Sequence, residues 1–143
     1  MRNSKNLLLP QGRNLGFTKL SDLLGNYHRY RFPRVKFDMI LMSHILHNEG
    51  APEARRLIRQ AYRALLPGGR IAIHDFCLGE KVPNPLFCAV YSVYMTILTH
   101  QGSAHKIHDL IRWMNEAGFA QAECRPICAD RPNATQLITG VKL

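Results

Sequence analysis

Two apolar runs set most of what this chain can fold into. FDMILMSHIL (37–46) and RIAIHDFCL (70–78) each run apolar with little alternation, and each ends in polar residues. Such a run predicts a strand covered on both faces. Between them lies NEGAPEARRLIRQAYRALLPGG (48–69). Pro52 suits the first turn of a helix, where its missing N–H costs nothing. Ala54, Leu57, Ile58, Ala61 and Leu65 recur at steps of three and four, which gives one apolar face. Arg55, Arg56, Arg59 and Arg63 fill the opposite side as a solvated face, and PGG stops the helix. Strand, helix and strand at these lengths imply a parallel pair with a right-handed crossover, and therefore an α/β fold.

The rest of the chain extends that unit. LFCAVYSVYMTILTH (86–100) is apolar almost all round and is expected to be a buried helix. SAHKIHDLIRWMNEAGF (103–119) places Ile107, Leu110, Ile111 and Met114 on one face, with Gly118 as its C-terminal cap. AQAECRPI and ATQLITGVK read as strands joined by CADRPN, a loop short enough for an antiparallel pair. Before residue 25 the signals are weak: LLLPQG resembles a strand remnant and FTKLSDLL a short amphipathic piece.

Ligands of open parallel sheets bind beyond the carboxyl ends of the strands. His44, His47 and Asn48 follow the first buried strand, and His74 and Asp75 close the second. Both polar groups therefore fall on one edge of the sheet. His44, three residues before His47, is expected to be scaffold, and His74 a neighbour without a task. His100, His105 and His108 straddle a turn and are expected at a solvent-exposed helix start.

The chain's 143 residues suffice for one domain. Its net charge of +9 is uneven: residues 1–36 carry eight Lys/Arg against one acid, Asp22, and residues 37–143 carry eleven against nine. The basic segment reads as a solvated leader, with nucleic acid or anionic lipid as the other option. No aromatic and basic residues interleave as in an RNA-binding strand. Nor is there a run of 18 apolar residues, and LLL is too short for a signal peptide, so a cytoplasmic location is expected. Cys77 and Cys88 lie among apolar residues, and no CxxC pair joins them or Cys124 and Cys128, so no metal site is expected.

With FDMILMSHILHN, YRALLPGGRIAIHDFCL and MNEAGF in this order, residues 25–143 resemble the class I S-adenosylmethionine-dependent methyltransferases. More narrowly, they are similar to the small-molecule O-methyltransferases of the plant caffeate and bacterial hydroxyneurosporene type. The resemblance implies a partial Rossmann-like sheet, parallel strands followed by a C-terminal antiparallel hairpin. It implies S-adenosylmethionine as cofactor and a hydroxyl of a small molecule as methyl acceptor. His47 matches the catalytic base, which takes the hydroxyl proton as the methyl moves, and Asp75 the acid that orients it. Asn26 and Tyr27 of GNY, and Ser43, match cofactor contacts; Met95 matches a residue that packs on the substrate ring.

Several family features differ. Asn48 stands where the plant enzymes carry an acid after the histidine, and Ala104 where they carry a second flanking acid. No GxGxG loop occurs in this sequence, nor the acid that grips the ribose, nor the N-terminal dimerisation region. The chain therefore reads as a basic leader (1–24) followed by the C-terminal part of a catalytic domain (25–143). The strand at 37–43 should then have a free, apolar edge. A non-catalytic remnant that pairs with a partner chain through that edge is the alternative reading.

Overall fold

The computed structural model describes residues 26–29, 32–79, 86–99, 101–127 and 135–143, so the leader, LLLPQG, FTKLSDLL, His100, Cys128 and the CADRPN loop lie outside the described residues. Residues 1–30 and 31–143 form two separate compact units. In the first, Asn26 to Arg29 make a turn in which the Asn26 carboxamide oxygen accepts from the His28 N–H at 2.9 Å.

In the second unit the chain runs β1 (Phe37–Ser43), a 3-10 turn (Leu46–Asn48), α1 (Ala51–Ala64), β2 (Leu65–Asp75), α2 (Leu86–Thr99), α3 (Ile107–Ala117), β3 (Phe119–Pro126) and β4 (Gln136–Lys142). Pro52 sits in the first turn of α1. Gly118 ends α3 at φ +106, a left-handed conformation that a side chain resists, and its N–H bonds back to Asn115 O. The four strands form one sheet in the order β1-β2-β4-β3. β1 and β2 are parallel, joined by the expected crossover, while β2 with β4 and β3 with β4 are antiparallel. β2 begins earlier than the sequence suggested: Leu65 already pairs with Phe37, and the PGG turn is absorbed as an irregularity before Arg70 meets Met39.

Register decides which residues share a face. Ile40 and Met42 of β1 lie beside Ile71 and Ile73 of β2, which lie beside Gly140 and Ile138 of β4. On this face sits the core, with Ala54, Leu57, Ile58 and Ala61 of α1 and Leu110 and Met114 of α3 all buried. At Gly140 a Cβ would meet Met114 Cε, the end of a flexible side chain, at 2.6 Å and Phe119 Cβ at 3.3 Å, so the strand and α3 pack closely there.

The other face differs from expectation. Met39 and Leu41 are each 59% exposed, and with Ala72, Thr139 and Val141 they line an open trough. The strand expected to be covered on both faces is thus covered on one among the described residues. α2 is corrected in the same way. Cys88 and Met95 are buried, but Val90, Val93, Tyr94, Ile97 and Leu98 are exposed, a stripe at helical spacing. An uncharged helix announces that it wants cover on every side without saying what supplies it.

Candidate active site

The carboxyl ends of β1 and β2 lie side by side, with Ser43 opposite His74. Just past β1, His44 takes φ +54, an uncommon conformation for a residue with a side chain, while its N–H still bonds His74 O at 2.8 Å. That turn ends the strand's direction and lets the 3-10 turn fold back over the edge, delivering His47. The Asn48 carboxamide donates to His44 O at 3.3 Å and staples the turn from within.

His47 and Asp75, the pair anticipated as base and orienter, meet directly. His47 Nδ1 lies 2.5 Å from Asp75 Oδ1, and the residues are only 5% and 2% exposed. A buried carboxylate needs donors, and Asp75 has four. Besides the imidazole, it receives the backbone N–H of Leu46 at 3.1 Å and of His47 at 3.2 Å on Oδ2. Oδ1 also receives the N–H of Phe76 at 2.8 Å. The carboxylate thus fixes both the backbone turn and the ring. Because a carboxylate only accepts, His47 Nδ1 carries a proton, which in the neutral ring leaves the lone pair on Nε2.

That lone pair faces a residue the sequence did not single out. The Tyr91 hydroxyl lies 3.0 Å from His47 Nε2, and the two rings meet edge to face at 5.2 Å. Phe76 and Phe87 pack on the same tyrosine, at 4.7 and 5.8 Å between centroids. Burial pushes the Tyr91 phenol above its ordinary range, so it remains a donor. Met95 follows four residues later on the same face of α2 and is buried.

The remaining histidines divide. His105, expected at a solvent-exposed helix start, is buried; its Nε2 donates to Leu46 O at 2.9 Å and it stands edge-on to Trp113. Burial lowers its pKa, with the bond to Leu46 opposing. His108 is exposed, as expected. His44 is half-buried between His74 and Phe76, and burial lowers its pKa too. His74 bonds Ser43 Oγ through Nδ1 at 3.0 Å and Thr135 Oγ1 through Nε2 at 2.7 Å, tying the ends of β1 and β4 across β2. Ala104, where a second acid was looked for, is buried and uncharged, so Asp75 has no second carboxylate beside it there.

The edge holds one side chain from the expected cofactor set, Ser43, which is exposed. A hydroxyl has two lone pairs and a proton, so its bond to His74 leaves capacity for a polar ligand. The Asn26 carboxamide likewise keeps donors beyond its turn bond to His28, within its own unit. His44, His47 and Asp75 also bring three metal-ligating side chains together, but the His47–Asp75 bond and the backbone donors already engage the carboxylate.

Residues 16–120 match the family model for the O-methyltransferase domain. The chain is 26% identical over 87 residues to the tetracenomycin polyketide synthesis 8-O-methyl transferase TcmO of Streptomyces glaucescens, over 61% of this chain and 26% of that one. An O-methyltransferase family 2 protein of Planctomyces limnophilus, solved in complex with apigenin, superposes with a TM-score of 0.71 at 31% identity, over 83% of this chain and 34% of that one. The structure of PigF with SAH superposes at 0.68 and 28% identity, over 78% and 32%. The chain thus spans about a third or less of the length of these relatives.

Proposed function

Starting from the fact that this chain belongs to the O-methyltransferase domain family, we propose that residues 25–143 form the C-terminal part of a catalytic domain. That domain transfers a methyl group from S-adenosylmethionine to a hydroxyl of a small molecule. The observation that carries this reading is the His47–Asp75 bond at the ligand edge of the sheet. Asp75 holds the proton on Nδ1, which presents the Nε2 lone pair as a base. The acceptor's hydroxyl proton passes to Nε2 as its oxygen takes the methyl, and the buried carboxylate stabilises the imidazolium that results.

When bound, the cofactor supplies a methyl group on a sulfonium. Ser43, Asn26 and Tyr27 are the residues we assign to holding it, and Met95 to the wall against which the acceptor packs. Support for the cofactor comes from PigF, solved with SAH, the demethylated form; support for a hydroxylated acceptor comes from the relative solved with apigenin. No described helix is long and apolar enough to cross a membrane, and we place the protein in the cytoplasm with residues 1–24 as a basic leader. His47→Ala should abolish turnover of an accepted substrate while the unfolding transition persists. Unchanged turnover removes the catalytic assignment.

A second reading is favoured by a separate observation. Among the described residues β1 ends the sheet, and its Met39 and Leu41 are exposed beside that edge. A chain that acts as a non-catalytic partner would use this edge to pair with another chain. Calorimetric titration with S-adenosylmethionine discriminates: one-to-one micromolar binding by this chain alone refutes the partner reading, and no heat at millimolar ligand supports it.

A further inference from the structure

Tyr91 stands where an acceptor has to stand. The lone pair of His47 Nε2 is the only basic site the ring offers, since Nδ1 is held by Asp75. The Tyr91 hydroxyl lies 3.0 Å from it, and His47 is 5% exposed. A phenol in this position makes the contact that an incoming hydroxyl would make: an O–H donating into the imidazole lone pair. The ring is seated as well as the oxygen. It rests against Phe76 at 4.7 Å and lies nearly parallel to Phe87, at 5.8 Å and 16°. Its helix is also tied to Gly102, through Thr96 Oγ1 to Gly102 O at 3.1 Å, where a Cβ on Gly102 would lie 2.5 Å from the His47 carbonyl oxygen.

We propose that Tyr91 is an internal stand-in for the methyl acceptor: its hydroxyl occupies the base, and an acceptor hydroxyl reaches His47 only by exchanging with it. Tyr91 is then neither base nor relay. It satisfies the imidazole lone pair when no acceptor is bound, and it sets a threshold that an acceptor's own hydrogen bond and ring contacts have to exceed. α2 carries no charged residue, and the Tyr91 hydroxyl is the group on this helix that meets the imidazole. Burial keeps the phenol protonated, so the stand-in is present throughout the neutral range.

The inference rests on His47 as the base, yet its test does not require turnover. Unprotonated imidazole nitrogen reacts with diethyl pyrocarbonate, and modification of each histidine can be followed by peptide mass mapping. Tyr91→Phe keeps the ring and removes only the oxygen. His47 modification should accelerate about two- to ten-fold in this variant, the range commanded by one net hydrogen bond. His105, buried elsewhere against Trp113, should keep its rate. A rise at His105 of the same size would mean general loosening and would overturn the proposal, as would an unchanged rate at His47. A second measurement uses phenol itself: its half-saturation, read from the His47 Nε2 nitrogen shift, should fall two- to ten-fold in Tyr91→Phe. An equal or higher value rejects the stand-in. If His47→Ala retains turnover, the base assignment falls while these access results stand; if access is unchanged, the stand-in falls and the base assignment stands.

Discussion

Replacing Asp75 by Asn changes one atom and asks the site to choose between two losses. The carboxylate accepts on both oxygens: the N–H groups of Leu46 and His47 on Oδ2, and His47 Nδ1 with the N–H of Phe76 on Oδ1. An amide keeps one oxygen and turns two N–H groups toward the other set of donors. If the NH2 faces Leu46 and His47, two backbone donors lose their acceptor. If it faces the other way, only Phe76 N–H is orphaned, because His47 can move its proton to Nε2 and accept through Nδ1. One orphaned donor costs about 1–3 kcal/mol and two about twice that, so the second arrangement wins. The expected stability loss is about 1–3 kcal/mol, near 4 °C of Tm per kcal/mol at this chain length. The chemical consequence is larger than the stability loss, because the lone pair has left Nε2. An equivalent tautomer inversion in a serine-protease triad lowers kcat by about 10⁴-fold. Urea denaturation measures the first effect, and long-range proton–nitrogen correlation of the His47 ring measures the second. An unmoved unfolding midpoint together with a proton still on Nδ1 would refute the reasoning.

Gly102→Ala should cost about 1–3 kcal/mol in urea melts, because the new Cβ meets the His47 carbonyl at 2.5 Å and Thr99 Oγ1 at 2.4 Å and cannot be housed without moving the turn that carries His47; a neutral result would show that turn to be pliant. His105 is held neutral by burial, below its ordinary value of 6.5, so its contribution to stability is complete above pH 6.5 and is lost as pH falls from there toward the folded value. The difference in unfolding free energy between the wild-type chain and His105→Asn should therefore shrink between pH 7.5 and 5.5, and a constant difference rejects this. Met39→Lys and Leu41→Lys remove exposed apolar surface beside the free edge of β1, and should lower light scattering on concentration while leaving the unfolding midpoint within about 0.5 kcal/mol; a collapse of folding would mean that this face is packed.

The β1–α1–β2 unit was legible because three periodic signals agree on it: two apolar runs and a helix with one apolar stripe. The edge carrying His47 and Asp75 followed from topology, since parallel strands bring their carboxyl ends together. Tyr91 was not legible. In a helix with no polar stripe, nothing in the sequence fixes which way each residue turns, so a tyrosine aimed at His47 looks like its neighbours Tyr94 and Val93. His105 was missed for a different reason. A histidine before a helix reads as a cap, and only the fold shows that the Leu46 carbonyl waits above it. The exposure of Met39, Leu41 and the α2 stripe was invisible because hydrophobicity records a need for cover and not its fulfilment.

The two members of the dyad stand only 28 residues apart and belong to one strand–helix–strand unit. The other edge of β2 waits for β4, whose partners come from the far end of the chain, Gln136 for Asp75 and Val141 for Arg70. Closing a short loop is entropically cheaper and faster than closing a long one. Loop closure is therefore entropically cheaper for the imidazole and its carboxylate than for the pairing of β2 with β4. Bringing His47 to Asp75 thus asks for less chain closure than completing the sheet that surrounds the pair.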